Sequence, residues 1–198
     1  DVHRATAAEV FGMAPADVDR TTRDRAKAVN FGIVYGIQDF GLSEQLNIPR
    51  ADARAYIDQY LARCPRVRSF IDSTIANAAQ EGFVTTLLGR RRAIPELSGA
   101  TVQQRQLGER LAVNTVIQGT AADIIKKAMV DAHRALAEEA LRARLILQIH
   151  DELLVEAPAE EAERAAEVVR AAMVGAYPLD PALVVDVGIG ETWLDAKA

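Results

Sequence analysis

Hydrophobic residues recur with the period of an α-helix over most of this chain. The period predicts main helices at 3–11, 23–36, 49–62, 65–82, 102–140 and 158–172. We expect Thr21 or Thr22 to cap the second of these helices and Gly119 to interrupt the fifth. The helical pattern therefore accounts for most of the residues.

Short β-prone runs lie between the helices and predict two hairpins. In the first hairpin, 83–88 and 92–94 flank a glycine turn, and in the second, 145–149 and 153–157 flank a polar turn. A final run, 183–189, predicts a strand that completes an antiparallel sheet with the second hairpin. Helices that cover an antiparallel sheet indicate an α+β fold.

The composition is that of a protein able to bury a core. The chain has 198 residues, 49% of them hydrophobic, which suits one domain or two small subdomains. It lacks a run of 18 apolar residues and a signal-peptide pattern at its start, so we expect an intracellular protein without a membrane segment. The single Cys64 has no partner for an internal disulfide and is expected to be a packing residue.

Charge is distributed unevenly along the chain. The net charge is -5, which at first sight disfavours nucleic-acid binding. From Glu138 onward there are thirteen acidic and five basic residues, net -8, so the preceding residues carry +3. Binding of nucleic acid or nucleotide is therefore expected in the first two thirds, where arginines cluster at 20–25, 63–68 and 90–92.

A stripe of cationic and aromatic residues marks the second predicted helix. Arg23, Lys27, Phe31 and Tyr35 are spaced four residues apart and so share one helix face. Two cations followed by two rings suit a nucleoside triphosphate, with its phosphates against the cations and its base or sugar against the rings. The alternative is an amphipathic helix whose rings are core residues and whose cations are solvated.

Two further patterns indicate nucleic-acid and metal chemistry. Arg110, Asn114 and Gln118 form a polar stripe that suits the minor groove of a duplex, or only a solvent face. Asp151 and Glu152 lie in the turn between two predicted strands, where carboxylates can hold Mg²⁺, although most acidic turns are only turns. Ordinary helix surface is expected at Asp123, Lys126 and Lys127.

Two motifs occur in an order typical of one enzyme family. The run Arg-x-x-x-Lys-x-x-Asn-Phe-Gly-x-x-Tyr-Gly at 23–36 resembles motif B on the fingers helix of family A DNA polymerases. Gln-Ile-His-Asp-Glu-Leu at 148–153 resembles their motif C. Residues 1–7 resemble the segment before motif B, so the resemblance covers essentially the whole chain. The family's motif A, a strand with the first metal-binding aspartate, is missing, and we expect a fragment.

The resemblance implies an enzyme of the bacterial DNA polymerase I type. In that reaction a primer 3′-hydroxyl attacks the α-phosphorus of a deoxynucleoside triphosphate (dNTP), and pyrophosphate leaves. Mostly helical fingers, with a short palm-derived segment at their N-terminal end, would occupy 1–100. The C-terminal part of an antiparallel-sheet palm covered by helices would occupy 101–198. The implied cofactor is Mg²⁺ in a two-metal site, and the implied partners are primer-template DNA and dNTP. We expect a cytoplasmic, nucleoid-associated monomer with no membrane partner.

The resemblance also implies a role for each matching residue. Asp151 and Glu152 would be metal ligands and, together with Lys27, catalytic residues. The implied triphosphate-binding residues are His3, Arg23, Lys27, Phe31 and Tyr35. The implied DNA-binding residues are Arg90, Arg91, Arg110, Asn114, Gln118 and His150.

Two other functions fit parts of the sequence. A metal-dependent phosphohydrolase would use the adjacent His150 and Asp151, with His3 and His133 as further ligands. That function leaves the cationic and aromatic stripe unexplained, and it needs its ligands on helices rather than between strands. A non-catalytic module that binds nucleotide or DNA would fit the fragment itself, which we expect to be inactive alone because one metal-binding aspartate is missing.

Overall fold

A computed structural model describes residues 1–197, apart from the side chain of Val10. The described chain forms two compact units, Asp1–Ile117 and a second that begins at Gln118. Helices dominate, and the described residues include two separate two-stranded antiparallel sheets. None of the described helices combines the length and apolarity needed to cross a membrane. The α+β class predicted from the hydrophobic pattern is confirmed.

The first unit begins with five helices joined by short loops. They are α1 (Val2–Val10), α2 (Arg20–Val34), α3 (Asp39–Leu46), α4 (Arg50–Arg63) and α5 (Pro65–Glu81). Pro65 begins α5, where its missing N–H is not needed, and Gly82 ends it with a φ of 78°. Asp19 caps α2 in place of the predicted Thr21 or Thr22, because its carboxylate accepts a hydrogen bond from the Thr22 backbone N–H at 2.7 Å.

Apolar side chains of α2, α3 and α4 form the main core of the first unit. Its buried members are Val29, Ile33, Leu42, Leu46, Ala53 and Leu61. Gly32 allows the segment after α2 to pack closely against this helix, because a Cβ built at Gly32 would lie 2.9 Å from Cγ2 of Ile37. The core covers one side of α2 and so leaves another face of that helix to solvent.

A small hairpin and a second apolar cluster complete the first unit. β1 (Phe83–Thr85) and β2 (Arg91–Ala93) pair antiparallel, and Gly89 supplies a φ of 89° in the connecting turn. The hairpin packs on the first part of α6 (Val102–Glu138), where Val84 shares an apolar cluster with Ala112. The buried members of this cluster are Ala78, Val84, Ile94 and Ala112.

The second unit contains the rest of α6, another hairpin and two further helices. β3 (Arg144–Ile149) pairs antiparallel with β4 (Glu152–Glu156), and α7 (Ala162–Gly175) and the short α8 (Trp193–Ala196) follow. The core of this unit is formed by α6, the hairpin and α7. Its buried members are Ala132, Leu136, Ala143, Ala165, Val168 and Val169.

Three further predictions from the sequence are wrong. α6 continues through Gly119, because one glycine costs only about 1 kcal/mol, which a long packed helix tolerates. No strand forms at 183–189 in the described chain, where Val184 is 84% exposed, since β-prone residues need a paired neighbour to form a ladder. Asp123 is not ordinary helix surface, because it is only 5% exposed.

Candidate functional site

One exposed face of α2 carries the cationic and aromatic stripe. The Phe31 and Tyr35 rings are stacked, with 6.0 Å between their centroids and 10° between their planes. Nζ of Lys27 lies 5.8 Å from the Phe31 centroid. Phe31 is 43% exposed, whereas the buried residues of this helix lie on another face. The alternative in which both rings are core residues is therefore wrong.

The first helix, α1, places His3 beside this face. The His3 and Phe31 ring centroids are 5.7 Å apart, and the planes are tilted by 47°. Nδ1 of His3 lies 2.8 Å from Nδ2 of Asn30. Burial lowers the pKa of His3 below its usual value, and the positive charges of Arg23 and Lys27 lower this pKa further. The structure thus brings His3 to the surface that holds the stripe.

Asp1 connects the start of α1 to Arg23. Its Oδ1 accepts hydrogen bonds from the backbone N–H groups of His3 and Arg4, which caps α1. Its Oδ2 accepts a hydrogen bond from Nε of Arg23 at 2.7 Å, and 35% of the Arg23 side chain stays exposed. Lys27 makes no ion pair with any described residue, so its ammonium group is available to a ligand.

Asn30 is a site residue to which the sequence motifs assign no separate role. It is 6% exposed, and its Oδ1 accepts a hydrogen bond from the Thr6 hydroxyl at 3.0 Å while its Nδ2 faces His3. A signal was present in the sequence, because Asn30 is the polar residue on a face otherwise formed by buried apolar residues. Buried polar groups need hydrogen-bond partners. Those partners lie on α1, which no local pattern pairs with α2.

The polar stripe of α6 occupies three different environments. A Cβ built at Gly36 would lie 3.1 Å from Cγ of Arg110, so the stem of Arg110 packs against the end of α2. Oδ1 of Asn114 is buried and accepts no hydrogen bond from the described residues. Gln118 is exposed and begins the second unit. Asn114 therefore retains an acceptor that a water molecule or a bound group can use.

The arginines of the first hairpin also differ in their surroundings. The Arg91 guanidinium lies 4.7 Å from the centroid of the Phe83 ring on the paired strand. Nη1 of Arg92 donates a hydrogen bond to the Thr115 hydroxyl at 2.9 Å and so connects the hairpin to α6. Arg90 is an exposed residue next to the turn. Arg90 and Arg91 thus lie on the exposed hairpin, and Arg92 connects that hairpin to α6.

The acidic turn of the second unit joins β3 to β4. His150 has a φ of 53°, a left-handed conformation that the tight turn requires, and Asp151 is exposed. Glu152 is the first residue of β4, and its Oε1 lies 3.0 Å from Nζ of Lys197. This Nζ also lies 5.0 Å from the centroid of the Trp193 ring. The sequence patterns did not predict the ion pair between Glu152 and Lys197, because 45 residues separate the two partners.

The chemistry of this turn fits part of a magnesium site. Adjacent carboxylates supply the oxygen ligands that Mg²⁺ prefers. Within the described chain, however, no group of three or more His, Cys, Asp or Glu side chains is arranged to hold a metal ion. Asp151 and Glu152 can therefore supply only some of the ligands. The set predicted for a phosphohydrolase does not assemble among the described residues His3, His133, His150 and Asp151.

Known proteins similar to this chain are bacterial DNA polymerases. The chain is 50% identical over 197 residues to DNA polymerase I of Geobacillus stearothermophilus, an alignment that covers 100% of this chain and 22% of the relative. It is 45% identical over 197 residues to the thermostable DNA polymerase I of Thermus aquaticus, which covers 100% of this chain and 23% of that relative. The chain thus spans less than a quarter of the length of these relatives.

A solved structure has the same fold. It is the POL domain of Pol1 from M. smegmatis in complex with DNA primer-template and dNTP, and it matches with a TM-score of 0.94 and 40% sequence identity. The match covers 100% of this chain and 35% of that chain. The family model described as DNA polymerase family A matches residues 1–195. The chain therefore belongs to DNA polymerase family A.

Proposed function

We propose that this chain supplies the dNTP-binding surface, part of the DNA-binding surface and part of the metal site of a template-directed DNA polymerase. One observation carries the proposal: His3, Arg23, Lys27 and Phe31 meet on a single partly exposed surface of the first unit. Cations beside exposed rings suit a nucleoside triphosphate. The family and the solved relative with bound dNTP support the same ligand.

In this proposal, each side chain of the surface on α1 and α2 has its own contact with the nucleotide. Arg23 and Lys27 bind the phosphates by charge-assisted hydrogen bonds, and His3 donates a further hydrogen bond to them. Lys27 also acts as a catalytic residue, because its charge opposes the negative charge that develops on the leaving pyrophosphate. Phe31 packs against the sugar and base, and Tyr35 holds the place of the template base until the fingers close.

The proposed reaction forms one P–O bond and breaks another. The primer 3′-hydroxyl loses its proton to solvent as its oxygen bonds to the α-phosphorus of the dNTP, and the bond between the α-phosphorus and the pyrophosphate oxygen breaks. Asp151 and Glu152 contribute carboxylates to the Mg²⁺ site, with Glu152 as the accessory ligand because Lys197 already pairs with it. Bound Mg²⁺ supplies positive charge against the charge that develops in phosphoryl transfer. The remaining carboxylate comes from outside the described residues.

The DNA-binding residues lie on several elements. Arg90, Arg91, Arg110 and Asn114 of the first unit contact the primer-template, and Gln118 and His150 of the second unit make contacts of their own. Contacts of this kind hold a duplex without reading its sequence. In this proposal the fingers occupy 1–100 and the palm occupies 101–198, and the polymerase works as a cytoplasmic monomer beside the bacterial chromosome.

A titration of the purified chain with a fluorescent dNTP tests the dNTP-binding surface. Lys27→Ala removes a charged contact, which is worth about ten- to a hundredfold in Kd. Lys126→Ala is the matched control, because it removes the same charge from an exposed position of α6. Equal affinities of the two variants would overturn the assignment of Lys27 to the phosphates.

Binding without turnover is the second candidate function for the chain by itself. The observation that favours it is the lack, within the described residues, of a group of three metal-binding side chains. Addition of primer-template DNA and Mg²⁺ to the same titration distinguishes the two functions. Saturable dNTP binding with no incorporation indicates a binding module, and templated incorporation indicates a complete catalytic site.

A further inference from the structure

A row of three side chains connects α1 to α2 behind the proposed dNTP-binding surface. The Thr6 hydroxyl lies 3.0 Å from Oδ1 of Asn30, and Nδ2 of Asn30 lies 2.8 Å from Nδ1 of His3. Thr6 and Asn30 are each 6% exposed. Neither has a role in the reaction described above. Their position suggests that they act through His3.

The amide of Asn30 determines which nitrogen of His3 carries the proton. Because Oδ1 of Asn30 accepts from the Thr6 hydroxyl, the amide presents only N–H groups to His3. Nδ1 of His3 must then be the unprotonated nitrogen, and the proton of the neutral ring lies on Nε2. His3 consequently offers an N–H donor on the ring atom that Asn30 does not contact.

An Asn30 amide rotated by 180° would instead stabilise a His3 ring that is protonated on Nδ1. Oδ1 of Asn30 would then accept from a protonated Nδ1, and the amide N–H would donate to Thr6. The Thr6 hydroxyl could still donate, because the carbonyl oxygen of Val2 lies 3.0 Å from it. That second pattern suits a charged imidazolium or a neutral ring that is protonated on Nδ1. In the structure, Nδ2 rather than Oδ1 of Asn30 faces Nδ1 of His3, which is the first pattern.

The charges around His3 favour the neutral ring. Arg23 and Lys27 face it from α2. The carboxylate of Asp1 is hydrogen-bonded to Arg23. Burial first, and then the positive charges of Arg23 and Lys27, lower the pKa of His3 below its usual 6.5, which favours the neutral ring at pH 7.

We propose that Asn30 and Thr6 are positioning residues for dNTP binding, because they hold His3 as the neutral Nε2–H tautomer that donates to a phosphate beside Arg23 and Lys27. The inference rests on the proposed function, since it takes the ligand to be a nucleoside triphosphate. A neutral donor adds a contact to the phosphates without placing a third positive charge beside two cations before the nucleotide binds.

Nitrogen-15 NMR of the histidine rings tests the tautomer in the 198-residue chain without nucleotide. We assign the His3 signals with His3→Gln and expect the Nε2–H form at pH 7. Asn30→Asp replaces the donor with a carboxylate that accepts from Nδ1–H, so His3 should remain charged to a higher pH. Asn77→Asp is the matched control, because it adds the same charge at an exposed position of α5.

A double-mutant cycle with a fluorescent dNTP tests the link to binding. Asn30→Ala should weaken binding about two- to tenfold, the range for one neutral hydrogen bond. In a His3→Gln background the same substitution should change Kd little, because a positioning residue acts only through His3. Thr6→Val, which keeps the shape but removes the hydroxyl, should show the same dependence on His3. Thermal melts identify any variant that does not fold, and Thr6→Val then carries the test.

The two readouts separate the inference from the proposed function. A charged His3 or an Nδ1–H tautomer at pH 7 overturns the inference. So does a loss of dNTP affinity on Asn30→Ala that is equally large in the His3→Gln background. Failure of the unsubstituted chain to bind dNTP overturns the proposed function. Retention of the Nε2–H tautomer together with His3-dependent losses of affinity supports both.

Discussion

Gly36 leaves the space that the stem of Arg110 occupies. A Cβ built at Gly36 would lie 3.1 Å from Cγ of Arg110, and Gly36 has a φ of 77°, which residues with a Cβ rarely adopt. The end of α2 therefore contacts α6 at the first residue of the polar stripe. A helix of the proposed dNTP-binding surface thus touches a residue of the proposed DNA-binding surface.

Substitution of Gly36 should damage DNA binding as well as stability. Gly36→Ala introduces left-handed strain of about 1–2 kcal/mol and pushes the Arg110 stem aside. Gly82→Ala is the control, because Gly82 has a φ of 78° and nothing within 4 Å of a built Cβ. Urea unfolding measures the strain, and fluorescence anisotropy with a labelled primer-template measures DNA affinity. Equal loss of DNA affinity in both variants would mean that the Gly36 contact does not position Arg110.

The purified chain should not extend a primer. Among the described residues the acidic turn supplies Asp151 and Glu152 without a third metal-binding side chain, so the charge needed for a two-metal site is incomplete. Gel analysis of a labelled primer-template with Mg²⁺ and dNTP measures extension. Robust templated incorporation by this chain would contradict the expectation and show that the carboxylates it carries are enough.

Asp151→Asn should abolish nucleotide incorporation in a chimeric polymerase in which this chain replaces the matching segment of the Geobacillus stearothermophilus relative. The amide keeps the shape but loses the negative charge that Mg²⁺ requires, and we expect a loss of at least about a hundredfold in single-turnover rate. Asp151 is exposed, so the free energy of unfolding should change by no more than about 0.5 kcal/mol.

Asp186→Asn is the control for that experiment. Asp186 is also an exposed aspartate, but it lies outside the turn between β3 and β4. Its variant should keep most of the incorporation rate of the chimera. Near-normal rates for Asp151→Asn would instead make the turn a structural element, and equal losses in both variants would point to a general effect of charge.

The ion pair between Arg164 and Glu139 should make stability depend on pH. Nε of Arg164 donates to Oε2 of Glu139 at 2.6 Å, and this contact holds the pKa of Glu139 below its usual 4.5. Because the folded pKa is lower than the unfolded one, the stabilising contribution is present above pH 4.5 and is lost as the pH falls through the folded pKa. Arg164→Gln should therefore lower Tm at pH 7, and this decrease in Tm should become smaller as the pH falls below 4.5.

Arg134→Gln is the matched variant for the ion pair, since it removes the same charge from an exposed position of α6. Melting curves of the three proteins between pH 7 and pH 3.5 provide the comparison. A Tm difference for Arg164→Gln that stays constant over this range would show that the arginine stabilises the protein by packing rather than through Glu139.

The sequence pattern predicted those helices and hairpins whose formation depends on residues close together in the chain. The spacing of Lys27 and Phe31 requires a shared helix face, and the β-prone runs beside His150 form the predicted hairpin. The run at 183–189 has the same β propensity, yet it lacks a paired strand among the described residues. Propensity alone therefore predicts a strand only where a neighbouring strand completes its hydrogen bonds.

The hydrophobic pattern did not predict contacts between residues that are far apart in the sequence. Asn30 finds its partner Thr6 on another helix, and Glu152 pairs with Lys197 from the end of the described chain. Both contacts depend on tertiary packing, which has no period in the sequence. The buried Asp123 shows the same limit, because an acidic residue on a helix is expected to face solvent unless the fold buries it.

The division between the two compact units falls inside α6, and no loop separates them. A break at the division would interrupt the helical hydrogen bonds of α6, whereas a break before Val102 would remove Ala112 from the apolar cluster of the first unit. Neither break leaves both units whole. Either unit expressed alone should therefore be less stable than the same residues within the whole chain.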